Sequence, residues 1–116
     1  MWVRVATTSD GVSRLLPENH RGELRIAGSD FFFTADSESP EVARLDSTQR
    51  PKAIDLTPTG ETAGPLRGKT YFGIYEVEGD TLMMGLDIYH ESKRPREFAT
   101  KGDPRTIIDL YRRIKP

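Results

Sequence analysis

The sequence predicts an all-β fold, an antiparallel up-and-down β-barrel of about eight strands with little helix. Short runs rich in Val, Ile, Tyr, Phe and Thr recur along the chain, most of them with apolar and polar residues alternating. Gly, Asp and Pro turn signals separate the runs at intervals of about 8–12 residues. Most connections are short enough for hairpins, and a meander of about eight twisted strands loses its exposed edges by closing into a barrel.

The N-terminal half contains five candidate strands. They cover residues 2–7, 12–16, 23–27, 31–35 and 41–45. The Ser9-Asp10-Gly11 and Gly28-Ser29-Asp30 sequences are turn signals, and the strands that flank the second are a predicted hairpin. Residues 12–16 are compatible with a short return strand or an irregular lid. Segments 17–22 and 39–45 are also compatible with a short helix, so residues 41–45 are predicted to be either a strand or part of a helix.

The C-terminal half is organised around a central hairpin. In strand 53–57, Ile54 and Leu56 alternate with polar neighbours. A Gly- and Pro-rich connection follows, and strands 70–77 and 81–89 then flank the Glu78-Gly79-Asp80 turn. A short strand at 97–100 and a final strand at 106–114 complete the chain. All of residues 1–116 are predicted to form one domain.

Composition excludes several function classes. The chain has 116 residues, a net charge of −1 and no cysteine. The charge balance gives no reason to expect a nucleic-acid partner. Without cysteine there is no disulfide, thiolate zinc site or cysteine nucleophile. No apolar run reaches the roughly 18 residues of a membrane span. No cofactor is predicted. The sequence does not indicate a cellular compartment, and a location in the cell envelope or outside the cell is compatible with it if a leader has been removed.

A series of motifs resembles a known family. These are Trp2 with the Asp10-Gly11 turn, PKAIDLT at 51–57, GKT at 68–70, GIYEVEGDTL at 73–82 and RPREF at 94–98. In this order they resemble a small conserved domain that is abundant in planctomycete bacteria. That family is described as lipocalin-like and has no assigned function. The resemblance therefore implies a calycin-type barrel and implies no mechanism.

The resemblance also implies a structural pair at the barrel floor. In lipocalin-like barrels a first-strand Trp closes the floor and an Arg from the last strand packs across it, which here means Trp2 with Arg112 or Arg113. Arg112 is the preferred partner because it shares a face with Ile108 and Leu110.

The chain departs from the family pattern at two places. The family's first strand begins Gly-x-Trp, whereas here Met1 precedes Trp2. We therefore expect a truncated first strand, a frayed barrel edge and a monomer or weak homodimer. Family members also often carry a cysteine after the GDTL strand, where this chain has Met84 or Gly85.

The leading functional prediction is a non-enzymatic binding module for a small apolar or amphipathic molecule. Its predicted lining residues are Phe33, Phe72, Tyr75, Met84 and Leu86, with loops 59–67 and 90–96 as gates. This function requires a cavity of about 300 Å³ or more. The alternative is a filled barrel that acts as a protein-interaction or sensory domain through its outer surface.

Catalysis is the weaker alternative. It would use His90 with a nearby carboxylate, but no nucleophile motif such as G-x-S-x-G accompanies it. His20 and His90 lack metal-ligand spacing, so no metal site is predicted. Asp55 and Asp87 alternate with apolar neighbours and are predicted to face outward to solvent. The basic residues at 93–96, together with Lys101 and Arg105, suit either a solvated loop or an anion site.

Overall fold

The computed structural model describes residues 1–17, 22–28, 30–33, 41–59, 65, 68–87, 94–103 and 105–114, with Phe33 described by its backbone alone. Within these ranges the chain forms nine β-strands and no α-helix. The strands are β1 (Trp2–Ser9), β2 (Val12–Leu15), β3 (Glu23–Ala27), β4 (Asp30–Phe33), β5 (Glu41–Asp46), β6 (Lys52–Pro58), β7 (Tyr71–Glu78), β8 (Thr81–Asp87) and β9 (Thr106–Arg113).

The strands form one antiparallel sheet that closes into an eight-stranded barrel. Strands β3 to β9 follow one another around the sheet in chain order, and β1 pairs with both β3 and β9. Strand β2 shares the β3 edge of β1, because it pairs with the second half of β1 while β3 pairs with the first two residues. The predicted all-β, antiparallel up-and-down barrel is confirmed.

The first hairpin shows why the local sequence selects this topology. Asp10 and Gly11 both have positive φ, 47° and 76°, and Ser9 lies directly opposite Val12. A two-residue Asp-Gly loop with two positive φ values matches the right-handed twist of the flanking strands. The expectation of a frayed edge at β1 is wrong, because Trp2 pairs with Leu24 on one side and with Arg113 on the other.

The barrel interior is filled by one apolar cluster. Leu24, Ile54, Leu56 and Met84 are each at most 1% exposed. The cluster consists of Trp2, Leu24, Phe31, Ala43, Ile54, Leu56, Leu82, Met84 and Tyr111, with Tyr71, Tyr75 and Leu86 packed against it. Among the described residues there is no helix with the length and hydropathy needed to cross a bilayer.

The outer face of β7–β9 is buried as well. Ile74 and Ile108 are 1% and 7% exposed, and Asp87 is fully buried. The connection between β8 and β9 is attached to the β1–β2 turn, because Thr100 accepts a hydrogen bond at its Oγ1 from the Gly11 amide, 2.7 Å away. Two predictions are therefore wrong. Residues 97–100 form no strand, and Asp87 is not a surface residue although it does lie on the outer face.

Candidate ligand site

An apolar pocket opens at the barrel end that carries the β3–β4, β5–β6 and β7–β8 turns, which we call the turn end. Its volume is about 100 Å³, which is below the roughly 300 Å³ that the sequence-based prediction of a small-molecule container required. Every lining side chain is apolar or aromatic. The lining residues are Trp2, Ile26, Phe31, Leu45, Ile54, Tyr75, Val77, Leu82 and Met84. They come from seven strands, so barrel closure is what brings them together.

The pocket has a buried floor and an exposed rim. Trp2 and Met84 are 8% and 1% exposed, whereas Ile26, Leu45 and Val77 are 42%, 52% and 46% exposed. Each rim residue precedes a turn and faces its pair partner across a hairpin, as Val77 faces Leu82. Three large aliphatic side chains converging around one opening form an apolar concavity of the kind that accepts apolar ligands.

The structure places two of the five predicted ligand residues in this pocket, Tyr75 and Met84. Leu86 also faces inward, but it packs on the core nearer the opposite end, which we call the loop end. The side chain of Phe33 lies outside the described residues. No described residue of the two predicted gate loops lines this pocket: residues 94–96 line a cleft on the outer surface, and of residues 59–67 only Thr59 and Pro65 are described.

The prediction for Phe72 is wrong, because its side chain faces away from the barrel interior. Phe72 lies opposite Asp55 on β6, and the outward direction of Asp55 was correctly predicted. The Arg94 guanidinium carbon sits 5.5 Å from the centre of the Phe72 ring. Aromatic residues in β7 occupy both faces, since Tyr71 and Tyr75 pack inward, so aromatic content alone does not identify the inner face.

The preference for Arg112 is also wrong, because Arg113 stacks on the tryptophan. The Arg113 guanidinium carbon lies 4.6 Å from the centre of the Trp2 ring, a cation–π geometry. Arg112 is exposed and lies opposite Val3. The inner face of β9 carries Tyr111 and Asp109, and the outer face carries Ile108, which is also buried. Because Ile108 is apolar, the sequence pattern pointed to the outer face as the inner one.

Arg94 fastens the β8–β9 connection to the barrel. Its Nη1 donates hydrogen bonds to the carbonyl oxygens of Ile54 and Gly73 at 3.1 and 2.8 Å. Its Nη2 donates to Asp55 Oδ1 at 2.6 Å. A planar guanidinium can satisfy several acceptors at once, which a lysine cannot do. The basic motif at 93–96 therefore contributes a structural clamp at this position.

A larger cleft lies beside this clamp on the outer surface. It has a volume of about 720 Å³ and is lined by Arg50, Arg94 and Arg96 together with uncharged residues. Arg94 is committed to the contacts described above, and Arg50 donates to the carbonyl oxygens of Ser47 and Gln49. Two of the three guanidiniums thus already serve protein acceptors, which weakens the case for an anion site.

Sequence reasoning missed a polar cluster inside the loop end. Glu41 lies on the inner face of β5 with Ala43 and Leu45, and burial raises the pKa of its carboxyl from 4.5 to about 7. Burial also raises the pKa of the Asp109 carboxyl, and a hydrogen bond from Thr7 and the nearby charge of Arg4 lower it only in part. The sequence contained a signal for this, because Glu41 shares its period-2 face with the apolar residues Ala43 and Leu45. The signal was missed because residues 39–45 were also compatible with a helix.

The catalytic prediction cannot be placed, since His20 and His90 both lie outside the described residues. Within the described ranges, no three His, Cys, Asp or Glu side chains gather in a group that could hold a metal ion. In comparisons with known proteins, no family model, no curated protein and no solved structure matches this chain.

Proposed function

We propose that this protein is a non-enzymatic binding module that takes a small apolar molecule, or the apolar tail of an amphipathic one, at the turn end of its barrel. The observation that carries the proposal is the pocket of about 100 Å³ whose lining is entirely apolar or aromatic. The closed barrel supports the same proposal, because a barrel of about eight strands has an interior that can hold one small ligand.

Pocket volume limits the ligand. Drug-sized ligands need roughly 300 Å³ or more, whereas an engineered apolar cavity of about 150 Å³ holds benzene. A pocket of about 100 Å³ therefore accepts a short alkyl segment or part of a ring. The remainder of the ligand would lie against the exposed side chains of Ile26, Leu45 and Val77.

The test uses the one tryptophan of the chain as its reporter, because Trp2 lines the pocket. Hexan-1-ol is titrated into the protein while Trp2 fluorescence is recorded. We expect a saturable change that Val77→Asp weakens by about tenfold or more, since a charge at the rim opposes apolar binding. Val42→Asp is the matched control: Val42 is also a strand valine, 39% exposed, and does not line the pocket.

A second candidate function, a protein-interaction domain, is favoured by the filled interior. The central layer of the barrel is closed by Leu24, Met84 and Tyr111, each at most 4% exposed. If this candidate is correct, hexan-1-ol leaves the fluorescence of Trp2 unchanged at every concentration. The same result, or equal affinities for Val77→Asp and Val42→Asp, would refute the binding-module proposal.

A further inference from the structure

Three charged side chains project into the loop end of the barrel interior. Directly opposite residues in an antiparallel pair point to the same face of a sheet. Each of the three is paired with a member of the apolar core cluster: Arg4 with Tyr111, Asp109 with Met84, and Glu41 with Phe31. Their side chains therefore share the interior with that cluster.

The partners of these charges are incomplete. The Nη1 of Arg4 and the Oδ2 of Asp109 are 3.7 Å apart, which is long for a charged hydrogen bond. Arg4 Nε and Asp109 Oδ1 are buried and have no hydrogen-bond partner, and Asp109 as a whole is only 9% exposed. Buried polar atoms in native proteins are nearly always satisfied by protein, water or ligand.

Glu41 is the least compensated of the three. From the residues that the structure describes, no hydrogen bond or ion pair reaches its carboxyl group. Its cross-strand partners, Phe31 on β4 and Pro58 on β6, carry no charge. A carboxylate in such surroundings is stabilised by a cation, and without one it takes up a proton.

Two phenol rings lie within electrostatic range of Glu41. The carboxylate raises the pKa of Tyr71 on β7 and of Tyr111 on β9, in both cases adding to the larger effect of burial. Aromatic faces attract cations, and an ammonium group offers three donors to surrounding oxygens. Among the described residues, the other charged groups near this space are Arg4 and Asp109. They carry opposite charges, positive on Arg4 and negative on Asp109.

We propose that the loop end of the barrel binds a small primary amine as its ammonium ion, with Glu41 as the counter-ion and Tyr71 beside it. Two carboxyls against one guanidinium favour a cationic over an anionic guest. None of the charged residues of this site lines the turn-end pocket, although two of their cross-strand partners, Phe31 and Met84, do. The proposal goes beyond the apolar binding proposed above, because it concerns a charged guest held by Glu41.

The experiment compares three probes of one chain length: hexylamine, hexan-1-ol and hexanoate. Calorimetric titration is performed at about pH 8 and about pH 5.5 on the full chain carrying Val77→Asp, the substitution expected to weaken binding at the turn-end pocket. An alkylamine stays charged at both values, as a lysine side chain does, whereas Glu41 is ionised mainly at the higher one. We expect hexylamine to bind at about pH 8, and to bind about tenfold or more weakly at about pH 5.5.

Glu41→Gln in the same background keeps the shape of the side chain and removes its charge. We expect it to weaken hexylamine binding at about pH 8 by about tenfold or more and to abolish the pH dependence. Glu76→Gln is the matched control, since Glu76 is exposed on the outer face of β7. If the Glu41→Gln protein folds poorly, the comparison of hexylamine binding at the two pH values in the protein that keeps Glu41 still tests the proposal.

Three results would overturn the proposal. These are no hexylamine binding at either pH, hexanoate or hexan-1-ol binding as tightly as hexylamine, and full affinity in the Glu41→Gln protein. The hexan-1-ol titration of the protein with Val77 intact tests the turn-end pocket separately, so failure of one site is distinguishable from failure of the other.

Discussion

Among the glycines that the structure describes, Gly73 has the least room for an added methyl group. A Cβ at this position would lie 2.5 Å from Leu86 Cδ2 and 2.6 Å from the carbonyl oxygen of Gly85. The Leu86 side chain can rotate away. The Gly85 carbonyl cannot, because Gly85 pairs with Ile74 in the β7–β8 ladder and its movement would disturb that pairing.

The cost of Gly73→Ala follows from two opposing effects. Overpacking a core costs about 1–3 kcal/mol, and replacing a strand glycine by alanine recovers about 0.5–1 kcal/mol of backbone entropy. The net loss is about 1–2 kcal/mol. With about 2.1 cal/mol/K of unfolding entropy per residue, 116 residues give about 0.24 kcal/mol/K, so Tm should fall by about 4–8 °C.

The assay is thermal and urea unfolding followed by circular dichroism, with Gly85→Ala as the matched control. Gly85 is equally buried, but a Cβ there would meet only side-chain atoms, the closest being Ile74 Cγ1 at 3.3 Å. We expect Gly85→Ala to lose less than half as much stability. A Gly73→Ala protein that melts within about 1 °C of the parent, or equal losses in both variants, would refute the reasoning.

Two further predictions concern Arg94 and Glu41. Arg94→Lys should lower the free energy of unfolding in urea by about 1–2 kcal/mol, because lysine cannot reach two carbonyls and a carboxylate together, whereas Arg96→Lys at an exposed position should change little. Similar losses in the two variants would contradict the clamp. The folded-state pKa of Glu41, about 7, exceeds its ordinary 4.5, so the native state binds more protons between these values. The free energy of unfolding should therefore fall as pH rises from about 4.5 to about 7, and Glu41→Gln should flatten that slope; an unchanged slope would show that Glu41 is not the source.

The sequence by itself determined the fold class and most strand positions. These are encoded locally: alternation of apolar and polar residues specifies a strand, and turn dipeptides such as Asp10-Gly11 specify where it reverses. The number of strands and their short connections then left barrel closure as the way to remove exposed edges. The outward direction of Asp55 followed from the same alternation, because Asp55 lies between Ile54 and Leu56, the two large apolar residues of the inner face of β6.

Only the tertiary structure decided which face of a strand is the inside when both faces are buried. Alternation identifies two faces and does not say which one meets the barrel interior, so β9 and β7 were misassigned at Arg112 and Phe72. On the outer face of β6 and β7, Arg94 contacts both Phe72 and Asp55, and it lies 39 residues from Asp55 in the chain. Pocket volume and the burial of Glu41 are likewise set by side chains from several strands meeting across the barrel, which no local pattern records.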